Sequence, residues 1–248
     1  MTRPRHPVRA PRATIAVLAV ILALLASPAL STQQPNVIAT NEAAAISTLR
    51  QVAAVQSIFK RALDIDTNCD GVGEYGYFAE LAGTQPMRVG IGSPGACVPT
   101  AGVYGVDELS PPLLRSAFGM VISSSVVHQG YVFQVWLPDA QVGGMVRAHA
   151  EDPFGGKLAG PYPDSSNGAR MWCCYAWPIA YGQTGRRAFF INQRGQVLRC
   201  SNRSTMPFTG ATNTPNFDEA FVVAGDMSSP IRVGIPGGAA ASIWSLVP

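Results

Sequence analysis

The chain has 248 residues, of which 47% are hydrophobic and 13% are charged, with 25 glycines and 20 prolines. Its formal net charge is +3, but four of the 18 basic residues lie in an arginine-rich leader and all 15 acidic residues lie beyond residue 31, so the rest of the chain carries a charge near −1. This balance argues against a nucleic-acid partner. The composition favours a loop-rich exported protein with a substantial core.

Residues 1–31 have the features of a secretory signal peptide. Four arginines precede an unbroken apolar run over residues 15–26, and small residues follow it. The run is well short of the roughly 20 residues that span a bilayer, so we expect cleavage after Ala29 or Ser31. The alternative is a retained anchor, and only through such an anchor would the protein contact a membrane. Both alternatives predict export to the periplasm or the cell surface.

A long helix is predicted after a linker over residues 32–40, which are polar and contain a proline. Thr40 or Asn41 can cap this helix, and Glu42 suits its first turn. No glycine or proline interrupts residues 41–63. Apolar residues recur there on one helical face: Ile46, Leu49, Ala53, Phe59 and Leu63.

An acidic segment follows the predicted helix. Four side chains in it occupy ligand positions of a calcium-binding loop: Asp66, Asn68, Asp70 and Glu74. Tyr77 stands at the twelfth position, where such loops carry a bidentate glutamate. The alternative is an acidic turn that ends the helix, in which Asp and Asn bind the local backbone. Calcium is therefore the one cofactor that the sequence suggests.

The same segment contains the spacing of a dinucleotide fingerprint, at Gly71, Gly73 and Gly76. A functional fingerprint follows an apolar strand and opens a helix that holds a pyrophosphate. Here the glycines follow acidic residues, which repel phosphate, so we predict no nucleotide partner.

Catalysis has little support in the sequence. Only His128 and His149 lie beyond the leader, and neither a G-x-S-x-G elbow nor an H-E-x-x-H helix occurs. We therefore predict that the protein is not an enzyme.

Downstream segments predict an antiparallel sheet. Residues 130–138 alternate in polarity and size, and residues 170–178 are rich in aromatic side chains. Residues 186–192 and 196–200 flank a glycine-bearing turn, which is typical of a hairpin. The expected fold class is α+β, with a long N-terminal helix packed on an antiparallel sheet. A single domain is predicted over residues 41–248, with a loop-rich C-terminal part.

The cysteine usage agrees with export, since structural disulfides form in oxidising compartments. The five are Cys69, Cys97, Cys173, Cys174 and Cys200. A bridge from Cys69 to Cys97 would tie the acidic segment to the next one. A second bridge is expected between Cys200 and either Cys173 or Cys174. One cysteine then remains as a thiol.

Several segments resemble a known family. "NEAAAISTLRQVAAVQSIFK" and "GEYGYFAEL" resemble the helix and first turn of bacterial type IV pilin-like exported proteins. "HQGYVFQVWLP", "AWPIAYGQTG" and "AFFINQRGQVL" resemble the sheet region of an uncharacterised pilin-like exported family. The resemblance implies a helix packed on an antiparallel sheet at the cell envelope. The prepilin processing motif is missing, so assembly into a filament by the pilus machinery is not implied.

The sequence thus predicts an exported, non-catalytic cell-envelope protein of pilin-like architecture. It would act as a structural or interaction module, with envelope components or other copies of itself as partners. The alternative is a periplasmic module that binds calcium or a small ligand, and a more distant alternative is an envelope hydrolase.

Overall fold

The computed structural model describes residues 29–237 and 243–248. The chain divides into two units, Met1–Val37 and Ile38–Pro248. Of the first unit, residues 29–37 are described, and they are helical. The predicted signal peptide therefore lies outside the described residues, apart from its last three positions. Within the described part, no helix combines the length and the apolar character that crossing a membrane requires.

The longest element is helix α1, Ala29–Ala62. The helix predicted from residue 41 is confirmed, but the predicted linker over residues 32–40 is helical as well. The expected capping residues have other partners. Asn41 donates a hydrogen bond to the carbonyl oxygen of Thr184 at 2.9 Å, and the Glu42 carboxylate accepts hydrogen bonds from a distant turn. Asn41 and Glu42, which suggested the start of a helix, therefore lie within α1 and contact a distant part of the chain.

The other helices in the described residues are single turns. They are α2 (Phe78–Leu81), a 3₁₀ turn (Ser116–Gly119) and α3 (Ser165–Gly168).

The strands form two antiparallel sheets. In the smaller sheet, β1 (Arg88–Ile91) pairs with β2 (Val98–Ala101). The larger sheet has seven strands in the order β3-β4-β6-β7-β8-β9, with β5 also paired to β4. Its strands are β3 (Val126–His128), β4 (Tyr131–Val142), β5 (Met145–Ala150), β6 (Cys173–Pro178), β7 (Ala188–Asn192), β8 (Leu198–Cys200) and β9 (Trp244–Leu246).

The strands predicted at β4, β6, β7 and β8 are confirmed, as is the β7–β8 hairpin. Sequence reasoning missed the smaller sheet, β3, β5 and β9. These elements are short or lie in stretches without a clear two-residue alternation, so their strand character depends on their partners.

Two apolar clusters use the alternate side chains of the larger sheet, because successive residues of a strand point to opposite faces. The first cluster includes Phe133 and Val135 of β4, together with residues from α1 and from residues 65–82. The second cluster includes Val132, Tyr175, Phe190 and Trp244, together with three C-terminal phenylalanines. These are Phe208, Phe217 and Phe221.

The predicted fold class, an α+β fold with a long N-terminal helix packed on an antiparallel sheet in the pilin-like manner, is wrong. The structure is sheet-rich, with sheets of seven and two strands, and α1 is the one helix of seven or more residues within the described part. Both faces of the larger sheet are buried, because residues of the C-terminal part, which was predicted to be rich in loops, pack on the second face and supply β9.

Candidate functional site

The predicted calcium loop is a turn braced by its own backbone. Asp66 accepts hydrogen bonds from the backbone N–H groups of Asp70 and Gly71, at 3.1 and 2.9 Å. Asp70 accepts from the N–H of Val72 at 2.8 Å and from the side-chain amide of Asn68 at 2.9 Å. Three of the four predicted ligands thus lie on one loop, and their oxygens already bind neighbouring amides. This arrangement favours the alternative of an acidic turn.

Glu74, the fourth predicted ligand, is buried and points elsewhere. One carboxylate oxygen accepts hydrogen bonds from the backbone and hydroxyl of Thr67 and from the hydroxyl of Ser165, each at 2.6 Å. The other oxygen pairs with the Arg88 guanidinium at 3.3 Å. Within the described ranges, no three His, Cys, Asp or Glu side chains are grouped where they would hold a metal ion.

Arg88 joins two buried carboxylates. Besides Glu74, its guanidinium binds Glu80 at 3.0 Å and the carbonyl oxygen of Tyr75 at 2.7 Å. Burial alone would lower the pKa of Arg88, but the carboxylates of Glu80 and Glu74 raise the pKa above its usual value. Glu80 also caps α2 by accepting from the N–H of Tyr77 at 2.7 Å. The aromatic end of the acidic segment is therefore fixed by a fully bonded ionic network.

Two of the three glycines of the fingerprint-like spacing, Gly73 and Gly76, allow close packing. A Cβ atom on Gly73 would collide with the carbonyl oxygen of Lys60, and one on Gly76 would lie 2.8 Å from the ring of Phe59. Gly76 also exchanges two backbone hydrogen bonds with the side chain of Gln56, at 2.7 and 3.0 Å. These glycines thus serve the approach of the chain to α1.

The cysteines behave differently in the two halves of the chain. The predicted bridge between Cys69 and Cys97 is present, whereas the second bridge is not formed. Within the described residues, Cys173, Cys174 and Cys200 are buried and make no disulfide. In the sheet register Cys173 lies opposite one end of β7 and Cys200 opposite the other end, so β7 separates them. Burial raises the pKa of the Cys173 and Cys174 thiols.

A pocket of about 540 Å³ lies against the second face of the larger sheet, beside its edge strand β3. Its floor is a row of side chains across three strands, because Val127 pairs with Val132 and Val132 pairs with Trp177. None of the lining residues carries a charge. The complete lining is Ala117, Met120, Ile122, Ser123, Ser125, Val127, Val132, Gln134, Trp177, Ile179, Gly210, Ala211 and Thr214.

Residues 117–125 form one wall of the pocket. Ser123 and Ser124 have φ angles of 50° and 62°, in the left-handed region that non-glycine residues seldom adopt. They form a tight turn that bridges Ile122 to Ser125. The side chains of Met120 and Ile122 are 73% and 70% exposed, so the turn holds large apolar groups in solvent at the mouth of the pocket.

The polar groups of the pocket differ in their hydrogen bonding. Trp177 donates to the carbonyl oxygen of Gly210 at 2.8 Å, and Ser125 donates to that of Ile122 at 3.0 Å. Gln134 is only 8% exposed, but it lines the pocket, and its side-chain amide is not among the buried polar atoms that lack a partner. The pocket therefore combines an apolar floor with one amide that is accessible from the cavity.

Sequence reasoning did not find this pocket. Gln134 is a visible signal, since it is the one polar side chain in residues 131–137. The walls, in contrast, come from residues 117–125 and 210–214, which lie far apart in the chain and carry no recognisable motif.

The chain was compared with protein-family models, with curated proteins and with solved structures, and no match was found in any of the three. The resemblance to pilin-like proteins stays a prediction from the sequence, and the case for a function rests on the geometry of the pocket.

Proposed function

We propose that the protein is an exported, non-catalytic module that binds a small, largely apolar molecule in the pocket beside β3. The observation that carries the proposal is the pocket itself. Its volume of about 540 Å³ falls within the range of roughly 300–1,000 Å³ that is usual for ligand sites. Met120, Ile122 and Val127 expose most of their surface around it, and clustered apolar exposure of this kind marks binding sites.

Two further features support the proposal. The Cys69–Cys97 disulfide is the kind of bond that persists outside the cytosol, which agrees with the leader-like N-terminal sequence. The pocket lining contains serine and threonine hydroxyls but no acid, base or thiol side chain, so it offers shape and apolar contact without a lining group that would activate a hydroxyl for nucleophilic catalysis.

Titration with the neutral dye N-phenylnaphthylamine tests the proposal through the rise of its fluorescence in apolar surroundings. At about 0.3 kcal/mol per non-hydrogen atom, a ligand of this size binds with a Kd on the order of 0.1 mM. Ala211 is an exposed lining residue, and we expect Ala211→Trp to fill the pocket and to weaken dye binding at least tenfold.

Ala140→Trp is the matched control, because Ala140 is an exposed alanine outside this pocket. It should leave the Kd of the dye unchanged. Absence of saturable binding to the wild-type protein, or equal Kd values for Ala211→Trp and the wild type, would overturn the proposal.

A further inference from the structure

The Gln134 amide is the chemical feature that narrows the range of ligands. In β4, Gln134 lies between Val132 and Trp136, both of which pack in the second cluster, so its side chain points to the same face. It lines the pocket and is more than nine-tenths buried. Its amide is not among the buried polar atoms that lack a partner and is open to the cavity, so a ligand that displaces water from it must replace the hydrogen bonds or lose affinity.

Neighbouring groups are already occupied. Tyr175, which pairs with Gln134 across the sheet, donates its hydroxyl to the carbonyl oxygen of Phe217 and accepts from the N–H of Ala220, both at 2.9 Å. Ser125 and Trp177 are bonded to backbone carbonyl oxygens. The side chains of Tyr175, Ser125 and Trp177 thus have internal partners, whereas the Gln134 amide faces the cavity with both a donor and an acceptor.

We infer that the ligand is an uncharged apolar molecule with one hydrogen-bonding group, such as a hydroxyl or carbonyl, which binds the Gln134 amide at the floor of the pocket. This inference rests on the proposed function. Gln134 is then the residue that selects among apolar molecules. A ligand that forms a hydrogen bond with it binds more tightly than a ligand of the same shape that cannot.

The absence of charge in the lining supports a neutral ligand. Thirteen residues line the pocket, and none of them is acidic, basic or histidine. A carboxylate, a phosphate or an ammonium group would lose its hydration there without gaining a counter-charge, which is strongly unfavourable. Fatty acids and phospholipid headgroups are therefore excluded from the floor, whereas neutral alcohols, phenols and ketones fit.

The test compares two molecules of equal shape, 2-naphthol and 2-methylnaphthalene, by displacement of N-phenylnaphthylamine at pH 7. The quantity of interest is the Kd of methylnaphthalene divided by that of naphthol. We expect this ratio to fall about tenfold from the wild type to Gln134→Leu, because loss of a buried hydrogen-bond partner changes binding by that order. Using the ratio cancels the general difference in hydrophobicity between the two molecules.

Thr214→Val is the matched control, since Thr214 is a lining residue whose side chain is exposed, and we expect it to keep the wild-type ratio. If the ratio is the same in the wild type and in Gln134→Leu while both molecules bind, the inference about Gln134 is overturned and the proposed function stands. If neither molecule binds the wild type, the proposed function itself fails. Gln134→Met repeats the measurement if Gln134→Leu lowers the Tm by more than a few degrees.

Discussion

The two faces of the larger sheet bury apolar side chains alike, and they differ where the second face opens into the pocket. On the side of the first cluster, the buried side chains of Gln56, Glu74 and Arg88 are hydrogen-bonded within the protein. On the second face, the cover formed by C-terminal residues ends beside β3, and Gln134 lines the space that is left. The side-chain amide of Gln134 therefore lies where the second face opens into the pocket.

This difference distinguishes a structural use of polar groups from a binding use. Buried polar groups stabilise a fold only when they are paired, and the network around Arg88 meets that condition. The Gln134 amide faces the pocket instead, and its proposed partner is a ligand. On this proposal, the network around Arg88 stabilises the fold, while one end of the second face binds the ligand.

The largest effect should come from truncating the core on either face. Phe189 and Phe190 are neighbours in β7, both fully buried, and they belong to the first and second clusters respectively. We expect Phe189→Ala and Phe190→Ala each to lower the free energy of unfolding by about 3–5 kcal/mol, measured by urea denaturation. A loss of less than about 1 kcal/mol for Phe190→Ala alone would mean that the second face is not a true core.

The ionic network gives a second test of the first cluster. Arg88→Met leaves Glu74 and Glu80 buried without their cation, and removal of one partner from a buried ion pair costs about 3–5 kcal/mol. Arg187→Met is the matched control, because Arg187 is 51% exposed in its pair with Glu42 and such pairs contribute about 0–1 kcal/mol. Equal losses in the two variants, measured by urea denaturation, would contradict a structural role for the network.

The sequence predicted those parts of the fold that have strong local patterns. The periodic apolar residues of α1 and the alternation in β4 are local signals, and both elements are present. The Cys69–Cys97 bridge was also predicted and is present, whereas the bridge expected between Cys200 and one of its two candidate partners is not. The second layer was not predictable, since Phe208, Phe217 and Phe221 lie in irregular chain whose burial depends on distant strands.

The candidate site was less predictable than the fold. The acidic loop was predicted to bind calcium because its spacing matches most of a calcium-binding loop. Spacing does not reveal that the Glu74 side chain points inward and pairs with Arg88. Gln134 lacks any motif, and its importance appears only when residues 117–125 and 210–214 close around it. Local patterns report periodicity and turn chemistry, whereas this pocket arises from contacts between distant segments.

Glu151 is an exception beside the first cluster and provides a pH test. One carboxylate oxygen accepts from the N–H groups of Ala79 and Gly156, at 2.7 and 2.9 Å, while the other is buried without a partner among the described residues. Burial raises the pKa of Glu151 from 4.5 to about 8, although the hydrogen bonds from Gly156 and Ala79 act in the opposite direction, and the nearby Glu80 makes a smaller contribution that also raises the pKa. The folded state therefore keeps this proton at pH values where the unfolded chain has lost it.

The sign follows from this difference in proton binding. The stabilisation is complete below the unfolded pKa near 4.5 and disappears as the pH rises through about 8. Each unit of difference in pKa is worth about 1.4 kcal/mol, so the wild-type free energy of unfolding should fall by at least that amount between pH 5 and pH 8.5. Glu151→Gln cannot ionise, and its urea denaturation should lose clearly less stability over the same interval. Parallel pH profiles for the two proteins would contradict the assignment.

The smallest effect is expected from calcium. A bound calcium ion requires six to eight oxygens, whereas the Asp66 and Asp70 carboxylates accept hydrogen bonds from their own turn and Glu74 is held by Arg88. Binding would have to break these bonds, so we expect millimolar calcium to change the Tm by less than 1 °C relative to the same ionic strength of magnesium. Asp66→Asn, which weakens any calcium site but keeps an oxygen acceptor for the turn, should respond identically. A calcium-specific rise in Tm that Asp66→Asn abolishes would show that polar groups beside the first cluster also bind a ligand, and the contrast between the two faces would no longer hold.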